Sequence, residues 1–295
     1  MNWNEHQRIQ LESLIVEHGF AHASQYIIEN TRSTIRLTKD GAADYVSSCE
    51  SRVGGDPDLP SQVKWPMTSD GIPMTFLAQL HLREVTDYDE SSPLPANGML
   101  YFFVGIDEPA YNIEHRVLVV PEDQLGSAER RISPEVTALE GSYNGFRVIA
   151  SPSLEPPNYA YVDYEQIENE TVGYEEYEDL SFAISGAGKG EVARLFGYPM
   201  GQHDDSEYEA ALMLLTGANY SYSKTEALKH LIAHFAGDET KAKQEIQDTL
   251  MLLELESDQE IGFCWWDAGV LQFFIRKEDL LAGRFDRTYC SLYSS

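Results

Sequence analysis

The chain has 295 residues, 42% of them hydrophobic, enough for one large domain or two ordinary ones with a substantial core. Its 49 Asp and Glu against 21 Lys and Arg leave a formal charge of −28, which repels phosphate backbones and argues against nucleic-acid binding. Three cysteines without a CxxC spacing argue against a disulfide framework or zinc site, and no apolar run approaches the roughly 18 residues of a membrane span.

The polar start Met1-Asn2-Trp3-Asn4-Glu5-His6 is unlike a secretory leader, so a cytoplasmic protein is expected, and separately no cofactor is expected. Asn4 is placed to cap a helix carrying Ile9, Leu11, Leu14 and Ile15, with Gly19 as its stop. A second short helix is expected over Ala21 to Ile28, then a strand over Thr34 to Thr38. Residues 1–48 therefore read as a helical appendage with a first strand, and residues 49–295 as the main domain.

Ser51 to Pro60 packs glycines and prolines so densely that a fixed loop is required. Strands are expected from Met74 to Leu82, Met99 to Val104 and Arg116 to Val120, with an acidic loop from Asp87 to Pro95. From Tyr159 to Asp179 carboxylates and tyrosines alternate without a Lys or Arg, which reads as a solvated loop or hairpin, or as a recognition surface. A strand over Leu180 to Ile184, a glycine-rich connector from Ser185 to Gly190 and a short helix over Glu191 to Phe196 are expected next. The connector lacks the Gly and Ser/Thr of a phosphate-binding loop. Helices are expected over Lys224 to Phe235 and from Asp238 through Ile246, then a strand over Val270 to Ile275 and a helical turn at Arg276 to Leu281.

Two stretches echo each other: Asn97-Gly98-Met99-Leu100-Tyr101-Phe102-Phe103-Val104 and Ala268-Gly269-Val270-Leu271-Gln272-Phe273-Phe274-Ile275. Leu252-Leu253-Glu254-Leu255 likewise stands where Leu77-Ala78-Gln79-Leu80 stood, and Gly197-Tyr198-Pro199 where the Gly-Gly-Asp-Pro loop stood. The expected architecture is α+β, of two related, mainly antiparallel β-rich halves (about 49–185 and 186–295) with peripheral helices. Superposable cores are expected in residues 51–120 and 195–276.

Val53-Gly54-Gly55-Asp56-Pro57-x-Leu59-Pro60, Trp65-Pro66, Phe76-Leu77-Ala78-Gln79-Leu80, Gly98 to Phe103, Leu195-Phe196-Gly197-Tyr198-Pro199 and Trp266-Asp267-Ala268-Gly269 follow in this order. Together they resemble the YwqG-like, or DUF1963, family over roughly residues 50–290. The resemblance implies an α+β fold of β-rich halves and brings no established activity. It leads one to expect Gln where this chain has Glu254.

Candidate chemistry is sparse. His203-Asp204-Asp205 offers hard ligands in succession but without a supporting spacing, and His230 and His234 flank Leu231, not the Glu of a zinc protease. No G-x-S-x-G elbow or Cys–His signature is present. One binding constellation joins Gln202, Asp204, Glu254, Asp258, Trp266 and Asp267, where the two-half pattern brings loop, strand and turn toward one sheet edge; the alternative is a turn fixed by Gly and Trp. The other comprises Tyr161, Tyr164, Tyr174, Glu175, Glu176, Tyr177, Glu178 and Asp179. The leading expectation is a non-catalytic acidic protein that binds a basic protein, in the manner of an immunity-type inhibitor of a basic toxin. An enzyme or small-ligand binder using a cleft between the halves, and a structural or regulatory scaffold, stay open beside it.

Overall fold

The computed structural model describes residues 5–86, 93–186 and 188–294. The Asn4 cap and most of the acidic loop at 87–95 lie outside them. Helices α1 (Glu5–Glu17) and α2 (Ser24–Asn30) lead into strand β1 (Arg32–Ala42). The short strands β2 (Arg52–Val53) and β3 (Asp58–Pro60) flank the Gly-Pro loop, and β4 (Thr75–His81), helix α3 (Leu82–Thr86), β5 (Met99–Val104) and β6 (His115–Val120) follow. Then come β7 (Ala128–Arg130), β8 (Phe146–Glu155), α4 (Tyr164–Ile167), α5 (Tyr174–Ser185) and β9 (Glu191–Phe196). Helices α6 (Ser206–Thr216), α7 (Lys224–His234) and α8 (Glu239–Gln247) precede β10 (Thr249–Glu256), β11 (Val270–Arg276), α9 (Lys277–Leu281) and β12 (Thr288–Tyr293).

Ten strands form one antiparallel sheet in the order β12-β11-β10-β9-β1-β8-β2-β4-β5-β6, and β3 pairs β7 separately. The strand read as part of an appendage thus lies in the middle of the sheet, between β8 and β9. The sheet curls until its ends nearly meet: Ile113 N–H donates to Cys290 O (2.9 Å) and Leu292 N–H to Ala110 O (2.6 Å). One continuous apolar core fills the inside, with Ile35, Leu77, Phe102, Trp265 and Phe273 among its residues. The rings of Phe102 and Phe273 meet there at 5.2 Å, joining residues from the first and second halves of the chain. The fold is α+β.

On the outer face α1, α2, α4 and α5 cover β8 through Ile15, Ile27, Leu154, Ile167, Tyr177 and Leu180. Helices α6–α8 enclose a small core of their own, and Ala210 of α6 meets Met251, Phe274 and Tyr289 of β10–β12.

Three expectations for the middle of the chain are corrected. The acidic tyrosine stretch is not a loop or hairpin: it contains α4 and the start of α5. Asp163 caps α4 by accepting from Glu165 N–H, and the Glu176 carboxylate accepts from Gly173 N–H at the start of α5 (2.8 Å). The strand expected over Leu180 to Ile184 is the second half of α5, because Tyr177 and Leu180 share a helical face buried against α1 and β8, and Gly186 ends the helix at φ 61°. The helix expected over Glu191 to Phe196 is β9, where Ala193 and Leu195 enter the core and Arg194 faces out between β1 and β10.

Within α5, Tyr177 is 2% exposed and donates its hydroxyl to Pro157 O (2.9 Å), whereas Tyr174 is 42% exposed. Tyr177→Ala should therefore cost about 3 kcal/mol or more and Tyr177→Phe about 1 kcal/mol. Tyr174→Ala should stay within about 0.5 kcal/mol. Urea-denaturation midpoints check all three.

Candidate functional site

The outer face carries a polar row across the sheet, in which Ser151, Arg36, Arg194, Glu254, Gln272 and Ser291 are successive cross-strand partners. A second row runs Arg147, Arg52, Gln79, Tyr101, Leu118. Each row holds one loop peptide. In the first half Asp58 N–H donates to Gln79 Oε1 (2.7 Å) and Asp58 O accepts from the Tyr101 hydroxyl (2.6 Å). In the second half Met200 N–H donates to Glu254 Oε2 (2.8 Å) and Met200 O accepts from Gln272 Nε2 (2.7 Å). Arg52 reaches back to Asp56 O (3.1 Å) as Arg194 does to Tyr198 O (3.4 Å). Gly54-Gly55 and Phe196-Gly197 make the same left-handed turn, with φ of 65° and 67° against 63° and 79°. Glu254, the departure from the expected Gln, thus makes the same peptide contact as Gln79.

The two clamps differ in charge. Arg52 is buried in an ion pair with Asp58, whose Oδ2 also accepts from Cys49 N–H (2.8 Å) and Gln79 Nε2 (2.9 Å), so the pair is well satisfied. Around Arg194 carboxylates are in excess. Glu254 lies 2.5 Å and Glu155 3.3 Å from its guanidinium, and the neighbouring Arg36 pairs with Glu191, whose other oxygen is buried without a hydrogen bond. Burial, helped by the charge of Glu191 and only partly offset by Arg194, pushes the Glu256 carboxyl up to about 7.

The first sequence-derived constellation is dispersed. Glu254 is fully buried in the clamp, Gln202 is exposed nearby, and Asp204 pairs with Lys224 (2.5 Å). Asp258 binds Lys39 (2.7 Å); burial opposes its charge, but Lys39 and the Ile261 and Glu260 N–H groups outweigh that and hold its carboxyl low. Trp266 and Asp267 are exposed on a turn in which Trp266 and Ala268 have positive φ, while Trp265 enters the core. His203, His230 and His234 are exposed, and among the described residues no group of three or more His, Cys, Asp or Glu is disposed to hold a metal. Cys49, Cys264 and Cys290 are free thiols.

The tyrosine and acid constellation divides into two. Tyr161 and Tyr177 are structural: the Tyr161 hydroxyl donates to Glu207 (2.5 Å), with Arg32 over the adjoining Tyr198 ring. Tyr174, Glu175, Glu176, Glu178 and Asp179 lie exposed on α5, with Tyr164 half-buried beside them. The segment from Asp163 to Asp179 holds eight carboxylates, and no Lys or Arg occurs between Arg147 and Lys189. Among the described residues none of the eight is in an ion pair with Lys or Arg. Phe182, 59% exposed, extends the same helix surface; sequence reading missed it, although its place three residues after Asp179 follows once α5 is known to be helical.

A cavity of about 220 Å³ lies where α1 crosses β8, lined by Gln10, Leu11, Leu14, Ser153, Ile184 and Ser185. No described helix is long and apolar enough to cross a membrane.

The sequence family described as "Domain of unknown function (DUF1963)" matches residues 51–293. The chain belongs to the DUF1963 family. The match begins beside Arg52 and runs to the end of β12, so it contains both clamps; the DUF1963 region leaves out α1, α2 and the central strand β1. No curated protein matches the chain.

Glu256 gives this DUF1963 protein a definite pH response. With an ordinary value of 4.5 and a folded value of about 7, the native state binds more protons than the unfolded chain between those limits. Its contribution therefore destabilises the fold progressively as pH rises through that window, and levels off above it. Glu256→Gln should gain about 3 kcal/mol over wild type at pH 8 and almost nothing near pH 4.5, measured by urea denaturation at both pH values.

Proposed function

We propose that this protein is a non-catalytic binding protein whose acidic α4–α5 surface docks a basic protein, and that the pairing is of the immunity type, with a basic toxin as the protein held. The observation that carries this is the set of eight carboxylates between Asp163 and Asp179 with no cationic neighbour in sequence or among the described ion pairs. Clustered like charges repel and cost stability, a cost offset when a basic surface arrives. Exposed Tyr174 and Phe182 beside them supply contact area of the kind that anchors protein interfaces. A toxin that acts on nucleic acid must be basic to hold phosphates, and an acidic surface competes for that same face.

We also propose that residues 51–120 and 195–276 descend from one duplicated unit, with α6–α8 inserted in the second copy. The matching left-handed turns, arginines and peptide clamps support this descent.

The test is capture of native-host proteins on the immobilised protein, followed by association kinetics of the retained protein against wild type and a Glu175→Gln, Glu178→Gln, Asp179→Asn variant. Association of the variant should be at least about tenfold slower at low salt, with the difference vanishing at high salt. Equal association rates at low salt would overturn the docking surface.

A further inference from the structure

Two places in the molecule show how this chain holds a guanidinium. Arg32 lies over the Tyr198 ring at 3.8 Å and beside the Tyr161 ring at 5.7 Å, with Glu207 at 2.9 Å from its Nη1. The two rings stand 4.9 Å apart, inclined by 53°. Arg130 lies over the Tyr45 ring at 3.7 Å, with Asp56 Oδ2 at 2.6 Å from Nη2 and 2.8 Å from Nε. In both, the flat cation takes an aromatic face and places its edge on a carboxylate, a geometry that suits Arg better than Lys.

The acidic surface presents the same parts once more, with no arginine of its own. The Tyr164 and Tyr174 rings stand 6.0 Å apart, inclined by 54°, almost the inclination of the pair beneath Arg32. Glu178 Oε1 accepts from the Tyr174 hydroxyl (3.4 Å), and the Tyr164 hydroxyl is tied to Tyr159 O (3.3 Å), which fixes that ring. Burial first, then Tyr174 and the charges of Glu168 and Glu178, push the Tyr164 phenol up. The seven cation–ring contacts among the described residues use other rings.

We propose that Tyr164, Tyr174 and Glu178 form a guanidinium-binding site that takes an arginine side chain from an exposed segment of the partner. The inference rests on the acidic docking reading and narrows it from any basic surface to one that presents Arg.

The experiment titrates equal-length fluorescent oligo-arginine and oligo-lysine peptides against the full chain at low salt. Oligo-arginine should bind about threefold more tightly. Tyr174→Leu should abolish that preference, Tyr174→Phe should retain it, and Glu178→Gln should weaken both peptides. Because Tyr174 and Glu178 are exposed, thermal melting should show all three variants folded. Equal affinity for the two peptides, or an arginine preference that survives Tyr174→Leu, overturns the site. If the peptides bind equally and both weaken in the Glu175→Gln, Glu178→Gln, Asp179→Asn variant, the guanidinium site falls and acidic docking stands. If neither binds, or the acidic variant binds both as wild type does, both readings fall together.

Discussion

Two peptide units, the buried one of Asp58 and the partly buried one of Met200, set the conditions for the outer face of the sheet. Each sits in a loop that turns back over the strands, where its N–H and C=O would lose water without compensation, at a cost of about 1–3 kcal/mol per group. Gln79 with Tyr101, and Glu254 with Gln272, replace that water from adjacent strands. The geometry demands a backbone turn that passes close beneath: at Gly197 a Cβ would strike the Glu155 carboxylate, and φ is already 79°. Arginine enters as the third member, tying the loop carbonyl two residues earlier to the sheet.

The clamps also determine where charge goes. In the first, one carboxylate answers one guanidinium. In the second, Arg194 and Arg36 are surrounded by Glu155, Glu191, Glu254 and Glu256, and the excess is relieved by keeping Glu256 readily protonated. Interior acids are thus accounted for by structure. Those on α4 and α5 are not: among the described residues, apart from the two that cap helix starts, their side chains make no hydrogen bond or ion pair beyond Tyr174–Glu178. This division is why the acidic surface, and not the polar rows, carries the functional proposal.

Much of this was legible in the sequence where local chemistry and burial agree. The turn at Gly54 to Pro57, the β4 and β5 strands and their echoes in β10 and β11 announce themselves, because buried runs flanked by obligatory turns have few alternatives; the ends of the loop expected over Ser51 to Pro60 are instead the strands β2 and β3. Strand β8 was not legible: Pro152 between two serines is poor strand chemistry. Pro152 is tolerated because β2 pairs β8 only at Phe146 and Arg147, leaving that side of the strand without a ladder partner. Helix α5 was hidden by its own acids, although Gly173, Glu176, Tyr177, Leu180 and Gly186 spell cap, buried face and stop. Of the expected site residues, Glu254 was singled out without its partners, since Arg194 and Met200 are set by cross-strand register and loop return, which spacing alone does not reveal.

The central claim is that the α5 acids are held against the interest of the fold. Unfolding free energy of wild type and a Glu178→Gln, Asp179→Asn variant, measured across a salt series, tests it most directly. The account predicts a variant that is more stable than wild type at low salt, with the gap closing as screening rises. A variant that is less stable at low salt would show that these carboxylates serve the fold, and would contradict the account.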